Sequence, residues 1–245
     1  MRLQSWNYLK RSWDRADSEK ARLEKATSIF FEDVARDDWL ACSKLIERGC
    51  SPNMALGHKR ALMVAAESGA INTLRLLAST GADLGAQDEQ GRDALFWAIE
   101  TRADDAVDFL LAQAAAKGVR PKRLFDDNST ALIAAAKLSY VHAVRALVHY
   151  EKSMVNMWDR MGRTALWHVL SKTDLSDDDN EIARILMDGG ADPSMRDLEG
   201  VSAREAATSD AGQSLLERHD IEAELDPAEP SPEQSAPAPS RRPRL

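Results

Sequence analysis

One phrase returns four times at nearly constant spacing. RALMVAAESG, DALFWAIETR, TALIAAAKLS and TALWHVLSKT align on Leu62, Leu95, Leu132 and Leu166, which stand 33, 37 and 34 residues apart. A second apolar run follows each: TLRLLASTGAD, AVDFLLAQAAA, AVRALVHYEKS and EIARILMDGGAD. VARDDWLACSKLIERGCSPN is an earlier, more degenerate copy, and GVSAREAATSDAGQSLLE is a last one. A period of this length builds a stack of like units, because one short helix pair cannot bury its own apolar face.

The residues of one unit say what it is made of. Leu62, Ala65 and Ala66 fall at helical spacing, and the alanines let neighbouring helices approach closely. Gly69 supplies the positive φ that ends this helix, and Leu74, Leu77 and Ala78 form the i, i+3, i+4 stripe of a second. Gly81 ends that helix, and Asp83 through Gln90 are polar enough for an exposed hairpin loop. The expected fold is therefore all-α: a solenoid of five to six helix-turn-helix units joined by hairpin loops.

The pattern resembles the ankyrin repeat, whose usual form runs D-x-x-G-x-T-P-L-H-x-A-A, then a glycine, an L-L pair and G-A-D. Asp88, Gly91, Ala94, Leu95 and Ala98 match it in one unit. In another, Asp159, Gly162, Thr164, Ala165 and Leu166 match, closed by Gly190, Ala191, Asp192 and Pro193. The resemblance covers residues 28–222. There are departures: alanine replaces the family's proline at Ala61, Ala94, Ala131 and Ala165. Met63, Phe96, Ile133 and Trp167 replace its histidine, which removes the usual hydroxyl–imidazole hydrogen bond there. Two insertions interrupt the period, AQAAAKGVRPKRLFDDNST and the acidic KTDLSDDDNE, the second lengthening the turn inside the fifth unit.

The ends of such an array need covers. Residues 1–27 are expected to form an amphipathic helical cap, with Leu3, Trp6, Leu9 and Trp13 on one face. Docking into a partner and lying on a membrane surface beside Lys10, Arg11 and Arg15 are the other uses of that stripe. Arg204 replaces the core leucine in the last unit, as a polar outer cap requires. Residues 223–245 hold six of the nine prolines and little to bury, so a disordered, proline-rich tail is expected.

The chain presents no visible chemistry. It has no phosphate-binding glycine loop, nucleophile elbow or H-E-x-x-H pattern, and its five histidines are dispersed. Two cysteines, Cys42 and Cys50, supply neither a disulfide framework nor a zinc site, and are read as packed thiols in a reducing compartment. Asp174, Asp177, Asp178, Asp179 and Glu181 supply oxygen ligands but lack an EF-hand's alternation and central glycine. The alternative is a solvated acidic loop that starts the next helix with a favourable dipole. We expect no catalytic residue, no metal and no cofactor. A net charge of −8 argues against a nucleic-acid binder and suits a basic partner. No apolar run is long enough to span a membrane, so the expected location is cytoplasmic.

In the ankyrin family, hairpin tips and first helices form a concave face that grips protein partners. Carried onto this sequence, the resemblance points to Trp158, Arg160, Met161 and Arg163 on one tip and to Gln90 and Arg92 on another. Glu67, Glu100 and Lys137 fall at the family's variable first-helix positions. Trp158 is an unusual residue in a loop that should be polar; it is either a partner contact or folds back on its neighbouring hairpin. The implied function is a non-catalytic protein–protein interaction module of bacterial type. It would serve as an adaptor, or as a dedicated inhibitor such as an immunity protein facing a basic toxin. A secreted effector engaging a host protein is the second class, and an enzyme whose site the sequence does not display is the third.

Overall fold

The computed structural model describes residues 19–118 and 129–225. Six helix pairs stack in chain order: α1 (Glu19–Ala35) with α2 (Trp39–Glu47), α3 (Ala61–Glu67) with α4 (Ile71–Ser79), and α5 (Ala94–Glu100) with α6 (Asp104–Ala116). Next come α7 (Ala131–Lys137) with α8 (Val141–Tyr150), α9 (Ala165–Leu170) with α10 (Asp177–Asp188), and α11 (Ala203–Ala206) with α12 (Asp210–Leu225). Among the described residues, hairpins connect the first pair to the second, the second to the third, the fourth to the fifth and the fifth to the sixth. The first carries a two-stranded ladder, β1 (Ala55–Leu56) and β2 (Lys59–Arg60), antiparallel with Ala55 opposite Arg60. Later ones close on single bridges, Trp158 to Thr164 and Arg196 to Ser202.

First helices start where a side-chain acceptor meets the orphan N–H groups of the first turn. Asp93, Thr130, Thr164 and Ser202 accept from the N–H of Phe96, Ile133, Trp167 and Glu205, each worth about 1 kcal/mol. The hydroxyl cap thus survives without the family's imidazole. Ala94, Ala131 and Ala165 follow three of these caps and Ala61 follows Arg60; all four are buried, so the residue in the family's proline position is a core contact. Leu62, Leu95, Leu132 and Leu166 sit in one apolar cluster running from Phe30 to Leu216, each contributing about 1.5–3 kcal/mol by burial.

The turn inside each of the first four pairs holds a left-handed residue. Gly69 supplies it at φ +64°, and Gly81 ends α4 at φ +95°. At the equivalent turn elsewhere stand Asp37 (+57°), Arg102 (+55°) and Ser139 (+52°), where the conformation costs about 1–2 kcal/mol. Each of these side chains reaches the following unit. Asp37 accepts from Thr73 N at 2.7 Å and Asn72 Nδ2 at 2.8 Å. Ser139 donates to Asp179 Oδ1 at 2.7 Å. Arg102 donates to the Leu138 carbonyl and lies over the Tyr140 ring. The strained turn residues are therefore also stitches between units.

The structure differs from expectation at several points. α1 (Glu19–Ala35) is continuous across residue 28, where the repeat array is expected to begin. α12 spans Asp210–Leu225, and the expected tail lies almost wholly beyond the described residues. The aromatic stripe at Leu3–Trp13, the RPKR stretch and the proline-rich segment lie outside the described residues. The acidic insertion is a loop only in its first half. Asp177, Asp178 and Asp179 form the first turn of α10 behind a Ser176 capping box, which is the helix-start reading. Asp179 is buried there against Lys172 Nζ at 2.6 Å; burial raises its pKa, but bonds from Lys172, Ser139 and Ser176 outweigh that and hold it low. Asp88 is buried inside the loop expected to be exposed. Cys42 is fully buried, which pushes its thiol up to about 12. Arg204 pairs with Asp220 of α12 at 2.8 Å.

Candidate functional site

A buried aspartate builds each of three hairpin tips. Asp88 Oδ1 accepts from Gln90 N and Arg92 N at 3.0 and 2.8 Å. Asp159 Oδ1 accepts from Met161 N and Arg163 N at 2.9 and 3.1 Å. Asp197 Oδ1 accepts from Glu199 N and Val201 N at 3.0 and 2.9 Å. The second oxygen is taken in each case by a cation or an imidazole. Arg92 Nε reaches Asp88 at 2.7 Å, His168 Nε2 lies 2.8 Å from Asp159, and Arg163 Nε crosses from the fifth unit to Asp197 at 3.1 Å. Burial raises all three carboxyls; the N–H donors outweigh it and hold each below the usual range. Burial pushes the His168 pKa down, more than its bond to Asp159 raises it. These tips are fixed loops whose shape is set before anything binds.

The nine residues expected to meet a partner fall into two groups and one outlier. Trp158 (44 % exposed), Arg160 and Met161 (40 % exposed) stand out from the fifth-unit tip. Arg163 shares this tip, but its guanidinium is committed to Asp197 and Glu199 and stacks on Trp167, 4.1 Å from the ring centroid. Lys137 approaches from the preceding unit, 3.8 Å from Asp159. The second group surrounds Trp97. Arg92 lies over its ring at 4.3 Å and Lys59 Nζ at 3.5 Å. Gln90 accepts from Arg92, and both Glu67 oxygens are held by Lys59 at 2.7 and 2.8 Å. Glu100 is exposed at the end of α5, apart from both groups.

Lys59, His168 and Leu198 were not singled out from the sequence. Lys59 and His168 are positioning residues whose partners lie across a turn or a unit. Leu198 is 76 % exposed at the sixth-unit tip. The signal that marked Trp158, a large apolar residue in a polar hairpin, was equally present there.

Charge is not shared evenly between the two rows of helices. The second helices (α2, α4, α6, α8, α10, α12) hold 14 carboxylates against 5 Lys and Arg, a balance of −9 in a chain whose total is −8. The acidity that suggested a basic partner therefore sits on the second-helix row, away from the tips expected to grip it. Among the described residues, no group of three or more His, Cys, Asp or Glu is placed to hold a metal ion. No helix among them is long and apolar enough to cross a membrane.

A family model described as ankyrin repeats (3 copies) matches residues 34–123 and 114–197. No curated protein matches. Among solved structures, an ankyrin repeat domain (ABAYE2397) from Acinetobacter baumannii AYE is 24% identical over 80% of this chain and 97% of that one, with a TM-score of 0.68. The ankyrin repeat domain of Bcl-3, a member of the IkappaB family, is 23% identical over 77% and 81%, with a TM-score of 0.67. A chain from the complex of the predatory endopeptidase Bd0816 of Bdellovibrio bacteriovorus with immunity protein Bd3460 is 20% identical over 78% and 96%, at 0.63. At these identities the likeness is one of fold.

Proposed function

Because this chain belongs to the ankyrin repeat family, whose members are protein–protein interaction modules, we propose that it is a non-catalytic binder gripping one protein partner by its hairpin tips. One observation carries the reading: Trp158 and Met161 are exposed on a tip that Asp159 holds in a fixed shape. Aromatic side chains on rigid loops are typical binding hot spots, since little entropy is lost when they are covered.

A rigid face suits a dedicated inhibitor better than a hub adaptor, whose surfaces re-pack for many partners. A chain in an endopeptidase–immunity protein complex has this fold, which supports the inhibitor use. On this reading the protein acts in the cytoplasm of its own cell. The test is affinity purification of the tagged chain from its source cells beside Trp158→Ala. One stoichiometric partner, lost in the variant, is the expected result, and a toxin as that partner selects the inhibitor. A partner retained by Trp158→Ala moves the site elsewhere. Turnover of a metabolite by the purified chain, abolished by a single polar substitution, overturns the reading.

A further inference from the structure

Two adjacent tips meet edge to edge. Leu198 N donates to the Met161 carbonyl at 2.9 Å, and a Cβ on Gly162 would lie 3.0 Å from that same nitrogen. The contact sets the backbone of Leu198 beside that of Met161, whose tip also carries Trp158, and all three side chains are exposed. Large apolar side chains exposed together on adjoining loops mark a candidate place of association.

The charges around it are sorted. Arg163 is tied to Asp197 and Glu199, and Arg196 to Glu205 at 2.9 Å. Asp159 and Asp197 are buried beneath their donors. Arg160 is exposed and takes part in no ion pair among the described residues. A partner arriving here meets one uncommitted positive charge beside an apolar strip. The carboxylates of the second-helix row repel an acidic partner from the other side and leave the tips as its approach.

Resting on the tip face as the binding face, we propose that the fifth- and sixth-unit tips form a docking strip for a protein segment presenting a bulky apolar side chain next to a carboxylate. The apolar group covers Met161 and Leu198 against Trp158, and the carboxylate pairs with Arg160, a charge-assisted contact that fixes its direction.

The probe is a displayed library of short random peptides, selected on the full chain and on Trp158→Ala, Leu198→Ser and Arg160→Glu. All three are surface substitutions, and urea unfolding confirms that each variant is folded. Wild-type pools should be enriched in peptides with a large apolar residue within a few positions of Asp or Glu. Recovery should fall about tenfold or more with Trp158→Ala and Leu198→Ser. Arg160→Glu should turn the flanking preference to Lys and Arg. Pools that lose Trp158→Ala binding but carry basic flanks on the wild type sink the acidic chemistry and leave the tip face standing. Pools indifferent to all three variants sink the tip face itself, and absence of enrichment over bare resin overturns the docking strip.

Discussion

Asp159→Ala tests the logic of the tips at its centre. Asp159 Oδ1 accepts two backbone N–H groups, from Met161 and Arg163, and Oδ2 faces His168. Hydrogen bonds to a charged acceptor contribute about 1.5–3 kcal/mol each. The tip N–H groups regain water once released, so the lower figure applies, and two bonds give a loss of about 3 kcal/mol. With a urea slope of about 1–3 kcal/mol per molar, the midpoint should fall by roughly 1–3 M. Asp159→Asn keeps the Oδ1 acceptor and should lose about half as much. Stability in a stacked array is a sum of unit and interface terms, so the loss should be local. Hydrogen exchange should accelerate first in residues 157–170 and their contacts in the sixth unit, with α3 and α4 unaffected. A midpoint shift below about 0.3 M, or exchange that rises uniformly along the chain, would refute the claim that this carboxylate holds the tip.

The array should be most stable in mildly acid solution. Asp88, Asp159, Asp179 and Asp197 have lowered pKa values in the fold, so their contribution is present above the unfolded carboxylate range near 3.9 and is lost as pH falls below it. Asp33 and Asp93 are pushed up to about 6, chiefly by burial; the fold disfavours their charge, so stability rises as pH drops from 7 through 6. Urea midpoints from pH 3 to 8 should therefore peak between about 4 and 6, and Asp93→Asn, which keeps the cap, should raise the midpoint at pH 7 but not at pH 4.5. A glycine pair separates backbone strain from crowding. Gly162 (φ +80°) and Gly200 (φ +81°) share nearly the same φ, but of the two an added Cβ meets Leu198 N and Asp197 Cα, at 3.0 and 3.1 Å, only at Gly162. Both alanine variants should lose about 1–2 kcal/mol from the left-handed conformation, and Gly162→Ala should lose clearly more; equal losses would show that the two tips part freely.

The period and the core were readable because every unit repeats the same demand. Leu62, Leu95, Leu132 and Leu166 and the alanines around them are buried in the same apolar cluster. Gly69 was readable as a turn residue because only glycine takes positive φ without cost. Asp37, Arg102 and Ser139 occupy the same turn and were not readable. Nothing local prefers them there; what offsets the strain is a partner about one repeat away, visible only once the units are stacked. The same reason explains Arg163. As a sequence it is an exposed tip arginine, yet Asp197 and Glu199, one unit on, take its guanidinium. The tail and the aromatic stripe follow no repeat.

Net charge says little about the binding face for a different reason. A total of −8 counts residues, whereas a partner meets a face, and a solenoid sorts its faces by helix. First helices and tips must pack closely or bond their neighbours, so the charges there are consumed in pairs such as Arg92 with Asp88 and Lys59 with Glu67. Second helices present one long side to solvent; some of their charges pair across units, as Asp108 with His142 and Glu181 with Arg145, but carboxylates outnumber cations there and the excess collects on that row. Exposure alone therefore selects too many candidates at the tips. The better criterion is a side chain whose chemistry the fold leaves unused, which passes over Arg92, Arg163 and Glu67 and retains Arg160, Met161 and Leu198.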